Sequence, residues 1–204
     1  MTIEQFQAEA KQWIAGAKDT ALEEALHRTD LPTDAGGVEI SSRQRLQNLH
    51  RHRRRSGFCA RLCRGSLWHP AEQVVGSAGE TKYGYAKDGK PILTKEPKLI
   101  LNDNDAGKPQ GIHLMIGRRP HAAFGNSTGD QQMLEYTKAG DGARLSMLVL
   151  HDDATREYAY GPATGLPDSK VGTFTQKLYD EAQKDGWTVI SMKNDWKQIF
   201  AFKE

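Results

Sequence analysis

Two short stretches decide the fold of this chain: "AGKPQGI" at residues 106–112 and "AAFGNSTGDQQML" at residues 122–134. The second starts as an apolar strand, breaks at Gly125, crosses a polar turn and resumes an apolar pattern at Met133 and Leu134. Gly, Asn, Ser, Thr and Asp favour turns and helix caps, so the spacing predicts strand, turn and helix in immediate succession. In the first stretch, Lys108 and Pro109 open a helix that "GIHLMIG" carries to Gly117, a glycine where helices stop.

Working outward, "QQMLEYTKAG" reads as the helix after the turn, closed by Gly140, and "ARLSMLVL" and "WTVISM" read as strands. "GTFTQKLYDEAQKDG" is a helix between those two strands. Upstream, "QVVGS" is a short buried strand, and "TKYGYAKDGKPILTKEP" is a hairpin turning at Asp88-Gly89. Alternating strands and helices predict an α/β fold with a mostly parallel sheet covered on both faces. Residues 2–18 read as a helix with Thr2 and Gln5 as a capping box. Its apolar face holds Ile3, Phe6, Ala10, Trp13, Ile14 and Ala17.

Residues 20–70 obey neither period. Residues 41–71 hold eight arginines and no acidic residue, a charge of +8 that leaves −6 for the rest against a net of +2. No lysine lies between Lys18 and Lys82, where nine arginines fall, whereas the rest of the chain has fifteen lysines and four arginines. Both cysteines sit in "LHRHRRRSGFCARLCRGSLWHP", residues 49–70. A surface under ordinary selection mixes Lys and Arg, and this switch suggests GC-rich DNA read in an unselected frame. The expected organisation is therefore an N-terminal helix at 1–19, an aberrant and poorly ordered segment at 20–70, and an α/β region at 71–204.

The whole chain has 204 residues, 37% of them hydrophobic, and a mean hydropathy of −0.68. That length suits one domain with a sizeable core. The small net charge argues against a generally basic nucleic-acid binder, and no apolar run approaches the roughly 18 residues of a membrane helix. The N-terminus has no apolar h-region, so no secretory signal is visible and the chain as it stands reads as cytoplasmic.

The lysine helix followed by a strand ending in GN-x-x-GD-x-x-ML resembles the haloacid dehalogenase (HAD) superfamily of phosphohydrolases. The branch is the one similar to phosphoserine phosphatase and bacterial acid phosphatases, and the likeness runs from about Gln73 to Phe202. It implies an incomplete Rossmann-like, HAD-type three-layer sandwich and a Mg²⁺-dependent phosphomonoesterase acting on a small phosphorylated substrate through a phosphoaspartate. Relatives of this kind are often periplasmic or secreted. By resemblance Lys108 is the catalytic lysine, Asn126 and Asp130 are the metal-side residues, and Gly125, Ser127, Thr128 and Gly129 shape the loop on the phosphate side. Asn126 stands where many relatives carry an aspartate, which lowers the negative charge of the site.

Two parts of that machinery are missing. The nucleophile motif D-x-D-x-T does not occur. Asp103 and Asp105 in "LILNDNDAG" follow an apolar run, but they lie too close to Lys108 for a nucleophile strand and a lysine helix both to fit, and they read as a surface loop. Asp152 and Asp153 in "LHDDA" read as a late loop. The strand ending in a Ser or Thr phosphate contact is also missing, and the arginine-rich zone occupies its place. Codons for residues 47–57 read one base later permit "KTYIVTGGGQ", a β-branched strand ending in Thr and a Gly-rich turn. One inserted base near Thr20 and one lost near Pro70 account for the whole zone, and Met1 then reads as an internal methionine. The chain is accordingly expected to be catalytically impaired.

Two other classes compete. A nucleic-acid arm at residues 43–64 would use clustered arginines to release counterions, but it lacks interleaved aromatics, and no specific nucleic-acid role is expected. A zinc site from His50, His52, Cys59 and Cys63 has tolerable ligand spacing without flanking elements to orient it.

Overall fold

The computed structural model describes residues 1–16, 50–55, 73–169 and 172–199, with 50–55 described as backbone. The chain divides into two compact units, Met1–Asp103 and Asn104–Ile199.

In the first unit, α1 spans Ile3–Gly16. Thr2 and Gln5 form the expected reciprocal cap, with Thr2 N–H donating to Gln5 Oε1 at 2.9 Å and Gln5 N–H to Thr2 Oγ1 at 3.2 Å. Strands β1 (His50–Arg55), β2 (Val74–Tyr85) and β3 (Pro91–Leu101) form a three-stranded sheet in that order. β2 and β3 are the antiparallel hairpin, turning through Gly89 at φ 81°, a left-handed backbone that glycine adopts without strain. "QVVGS" and the first arm of the hairpin prove to be one long strand, buried over Val74–Ser77 and exposed toward Tyr85.

β1 departs from the disorder expected across 20–70: its backbone pairs in parallel with β2, His50 opposite Val74. Ladder hydrogen bonds come from main-chain groups that every residue except proline offers, so a strand can form where side chains show no period. The rest of 20–70 lies outside the described residues, as do Cys59 and Cys63 and most of the arginine-rich arm.

The second unit is an α/β fold. Its elements are α2 (Gly107–Ile116), β4 (Ala122–Gly125), α3 (Gln131–Lys138), β5 (Leu145–Leu150), α4 (Gln176–Lys184) and β6 (Thr188–Ser191). The sheet order is β4-β5-β6, and both pairings are parallel. Each helix stops or starts for a local reason. Gly117 closes α2 at φ 73° with its N–H on His113 O, and the Thr175 hydroxyl caps α4 by accepting from Leu178 N–H. α3 packs on β4 and β5, and α4 packs on β6. The core gathers Ile112, Leu134, Leu148, Phe174, Leu178 and Trp187.

The two faces of the sheet are buried to different depths, as an α/β sandwich allows. β5 buries Ser146, Leu148 and Leu150 on one side, while Leu145 on the other is 43% exposed. Alternation along a strand sends successive side chains to opposite faces, so the buried face is the one bearing Leu148. Among the described residues no helix is long and apolar enough to cross a membrane.

Candidate functional site

β4 ends at Gly125, and the chain turns at once into the loop 126–130, whose last three residues form a short 3₁₀ helix leading into α3. The loop is organised by one carboxylate. Asp130 Oδ2 accepts from Asn126 N–H at 3.0 Å, Ser127 N–H at 3.2 Å and Ser127 Oγ at 3.2 Å. Its other oxygen, Oδ1, accepts from Lys108 Nζ at 2.6 Å. Both side chains are buried, 10% and 8% exposed, so this ion pair is screened far less than a surface pair.

Backbone tightness makes the geometry possible. A Cβ on Gly125 would lie 2.5 Å from Asp130 Cβ, and one on Gly129 would lie 2.8 Å from Asn104 Oδ1. Only glycine leaves room at Gly125, whereas at Gly129 the Asn104 amide would have to swing aside. Lys108 reaches the loop because Asp105 N–H donates to Gly129 O at 3.1 Å, tying the start of α2 to the turn. Asp105 itself sits at φ 48°, a left-handed conformation unusual for a residue with a side chain. Thr128 is held from the far side, its N–H donating to Thr173 O at 2.7 Å.

The structure therefore brings Lys108 and Asp130 into contact and sets Gly125, Asn126, Ser127, Thr128 and Gly129 in one loop beside them. Asp103 corrects the surface-loop reading: it is fully buried, with its N–H donating to Ser77 Oγ at 2.9 Å, whereas Asp105 is exposed as expected. Asp152 and Asp153 belong to a different device. Asp152 accepts from Ser191 Oγ at 2.6 Å and Lys193 N–H at 2.9 Å, while Asp153 pairs with Arg156. The Arg156 guanidinium also donates to the carbonyls of Met192 and Trp196 at 2.7 Å each, and so fastens the segment after β6.

A second polar cluster abuts the loop, and the sequence reading missed it. His151 follows β5, the neighbour of β4, so both chains exit at the same end of the sheet. Its Nδ1 lies 2.8 Å from Glu157 Oε2, its Nε2 lies 3.4 Å from Asn126 Nδ2, and its ring stacks on Tyr160 with centroids 4.5 Å apart. Burial, then the nearby Glu157 carboxylate, push the Tyr160 hydroxyl up to about 12, against a smaller opposing effect of its hydrogen bond with Asn126. The available signal was a histidine just past a strand in a parallel sheet, where ligand sites collect.

The expected Mg²⁺ does not fit the described residues by themselves. That ion wants several oxygens around it. Asp130 has its two oxygens taken by the ammonium and three loop donors, and no group of three His, Cys, Asp or Glu side chains placed to hold a metal occurs among the described residues.

No protein-family model matches the chain, and no curated protein matches it. One similar solved structure is described as a conserved functionally unknown protein from Anaerococcus prevotii DSM 20548. The similarity has 18% identity and a TM-score of 0.39, and covers 68% of this chain and 31% of that one. The chain thus spans about a third of that protein's length.

Proposed function

We propose that the unit Asn104–Ile199 is the part of a HAD-type phosphohydrolase scaffold that carries the lysine and the acidic loop, and that this chain is itself hydrolytically inert. One observation carries the reading: Lys108 Nζ meets Asp130 Oδ1 at 2.6 Å, both buried, beside the carboxyl end of β4. Phosphoryl chemistry is mostly positioning and neutralisation of charge. A lysine withdrawn from water and fixed against an acidic loop is one component of such a site, and its order in the sequence matches the resemblance. The ligand class is a small molecule bearing a phosphate group.

The attacking carboxylate is what the chain lacks. A phosphoaspartate route needs an aspartate presented at a strand end. D-x-D-x-T does not occur in the sequence, and Asp103 is buried with no exposure to a ligand. The described residues do not by themselves form a site for Mg²⁺.

The test uses the ¹⁵N-labelled chain titrated with inorganic phosphate. Saturable shifts should appear at the amides of residues 125–130 and vanish in Lys108→Met. Hydrolysis of p-nitrophenyl phosphate, with and without Mg²⁺, should stay at background. Absence of any shift at those amides would end the phosphate reading, and turnover at ordinary enzyme rates would end the claim of inertness.

A further inference from the structure

The three-stranded sheet of the unit Met1–Asp103 carries charge and aromatic side chains that the phosphate reading leaves unused. β1 holds four arginines and no acid, and residues 74–101 hold five lysines against three acids. The sheet thus carries +6 and leaves −4 for the rest of a chain whose net charge is +2. One sign of charge gathered on one sheet attracts and steers polyanions.

An aromatic face accompanies that charge. Tyr83 and Tyr85 stand two apart on β2, so they share a face, and they are 60% and 68% exposed. Their cross-strand partners on β3 are Leu93 and Pro91, and Leu93 is itself 43% exposed. The two rings meet edge to face, with centroids 5.5 Å apart and hydroxyls 3.4 Å apart. That contact fixes their angles while most of each side chain stays open to solvent. Lys95, opposite Thr81 on the same face, holds its ammonium 3.1 Å from the centre of the Phe6 ring, so α1 bounds the platform there.

Strand register joins the two features. β1 pairs with the other end of β2, Arg51 against Val75 and Arg55 against Ser77, and Tyr83 lies six residues beyond Ser77. At about 3.3 Å per residue, roughly 20 Å of one strand separates the arginine edge from the tyrosine pair. The arginine-rich segment has no interleaved aromatics of its own, and pairing with β2 supplies them. We propose that this sheet is a sequence-independent surface for single-stranded nucleic acid, with bases stacked on Tyr83 and Tyr85 and the phosphate backbone held by the basic sheet. Every base has a π-face to offer in a single strand, whereas a duplex keeps its bases stacked on one another. A lipid surface is the poorer match, because the hairpin tip Lys87-Asp88-Gly89-Lys90 is charged and exposed and presents no apolar face to bury. The proposal concerns a different unit from the phosphate reading and does not rest on it.

The experiment titrates the full chain into a fluorescein-labelled oligothymidylate of about 20 nucleotides, longer than such sites usually span, and into a duplex of equal length. Fluorescence anisotropy across a salt series should show the single strand bound more tightly, with affinity falling as salt rises. Tyr83→Ala and Tyr85→Ala should each weaken the single-strand complex about fivefold or more at an unchanged salt slope. Tyr83→Phe and Tyr85→Phe keep a ring and should bind as wild type does. In wild type the ring protons of both tyrosines should move upfield as unlabelled oligothymidylate is added, a readout that needs no variant to fold. Duplex bound as tightly as single strand, full affinity in folded alanine variants, or unmoved ring protons would show basic side chains acting as counterions alone, and would overturn the proposal. Absence of binding at low salt overturns it as well. Tyrosine-dependent binding to phosphatidylserine vesicles, with none to the oligonucleotide, overturns it in favour of a membrane.

Discussion

Replacing Lys108 by Met tests whether the Lys108–Asp130 contact is buried in the energetic sense. The substitution keeps most of the unbranched side chain and deletes its charge. Removing one partner of a buried ion pair leaves the other charge uncompensated, typically at about 3–5 kcal/mol. Here Asp130 keeps Asn126 N–H, Ser127 N–H and Ser127 Oγ as donors. The expected loss is therefore at the low end, about 3 kcal/mol. Lys108→Met with Asp130→Asn removes both charges while leaving an amide oxygen for the loop donors, and should recover more than half of that loss. Urea denaturation of the single and double variants supplies the cycle, with a constant slope showing that the same surface is exposed on unfolding. A loss below about 1 kcal/mol for Lys108→Met would match an exposed, screened pair and refute the buried-pocket geometry.

Other changes probe separate parts of the chain. Gly125→Ala places a Cβ 2.5 Å from Asp130 Cβ and should destabilise by about 1–3 kcal/mol while displacing the loop amides in NMR spectra; Gly84→Ala, with nothing within 4 Å, serves as the near-neutral comparison. Arg156→Ala unfastens the carbonyls of Met192 and Trp196 and should speed hydrogen exchange in the segment after β6. Burial pushes the Asp153 carboxyl up, but hydrogen bonds from Arg156 and Thr155 and the Arg156 charge outweigh it and hold the group below 3.8. That contribution is complete above 3.8 and lost as pH falls, so the stability gap between wild type and Arg156→Ala should narrow in acid. Tyr160 works in the opposite direction: raised from 10.0 to about 12, it stabilises fully below 10 and loses its contribution as pH climbs through 12, with one late-ionising tyrosine in an ultraviolet titration.

Legibility in the sequence followed how local the cause was. α2, α3 and α4 and the strands β4, β5 and β6 could be read because apolar period and caps such as Gly117 and Thr175 act within a few residues. The contact of Lys108 with Asp130 was readable only through the paired motifs and their order. Asp103 looked exposed because the group that receives its N–H, Ser77, is remote in sequence and is brought near only by the register of β2 with β3. β1 was invisible since strand pairing uses the backbone while its side chains show no period. His151, Glu157 and Tyr160 carried no motif at all; parallel pairing of β4 with β5 is what sets His151 beside Asn126.

The loop shows why such a motif is a poor guide to activity taken alone. Two backbone N–H groups and a hydroxyl meet one oxygen of a carboxylate and an ammonium meets the other, a donor set that suits an anion. The protein's own Asp130 supplies that carboxylate. Such a carboxylate can serve as a helix cap and nothing more, because Ser127 and Asp130 already form a reciprocal capping box. What a cap does not require is a buried lysine from another helix, nor a buried histidine–glutamate pair turned toward the adjacent asparagine. Those two features come from α2 and from the segment after β5, and each meets the loop from its own side. Convergence of these two elements on a loop already satisfied by its own aspartate is the physical support for the proposed ligand wall.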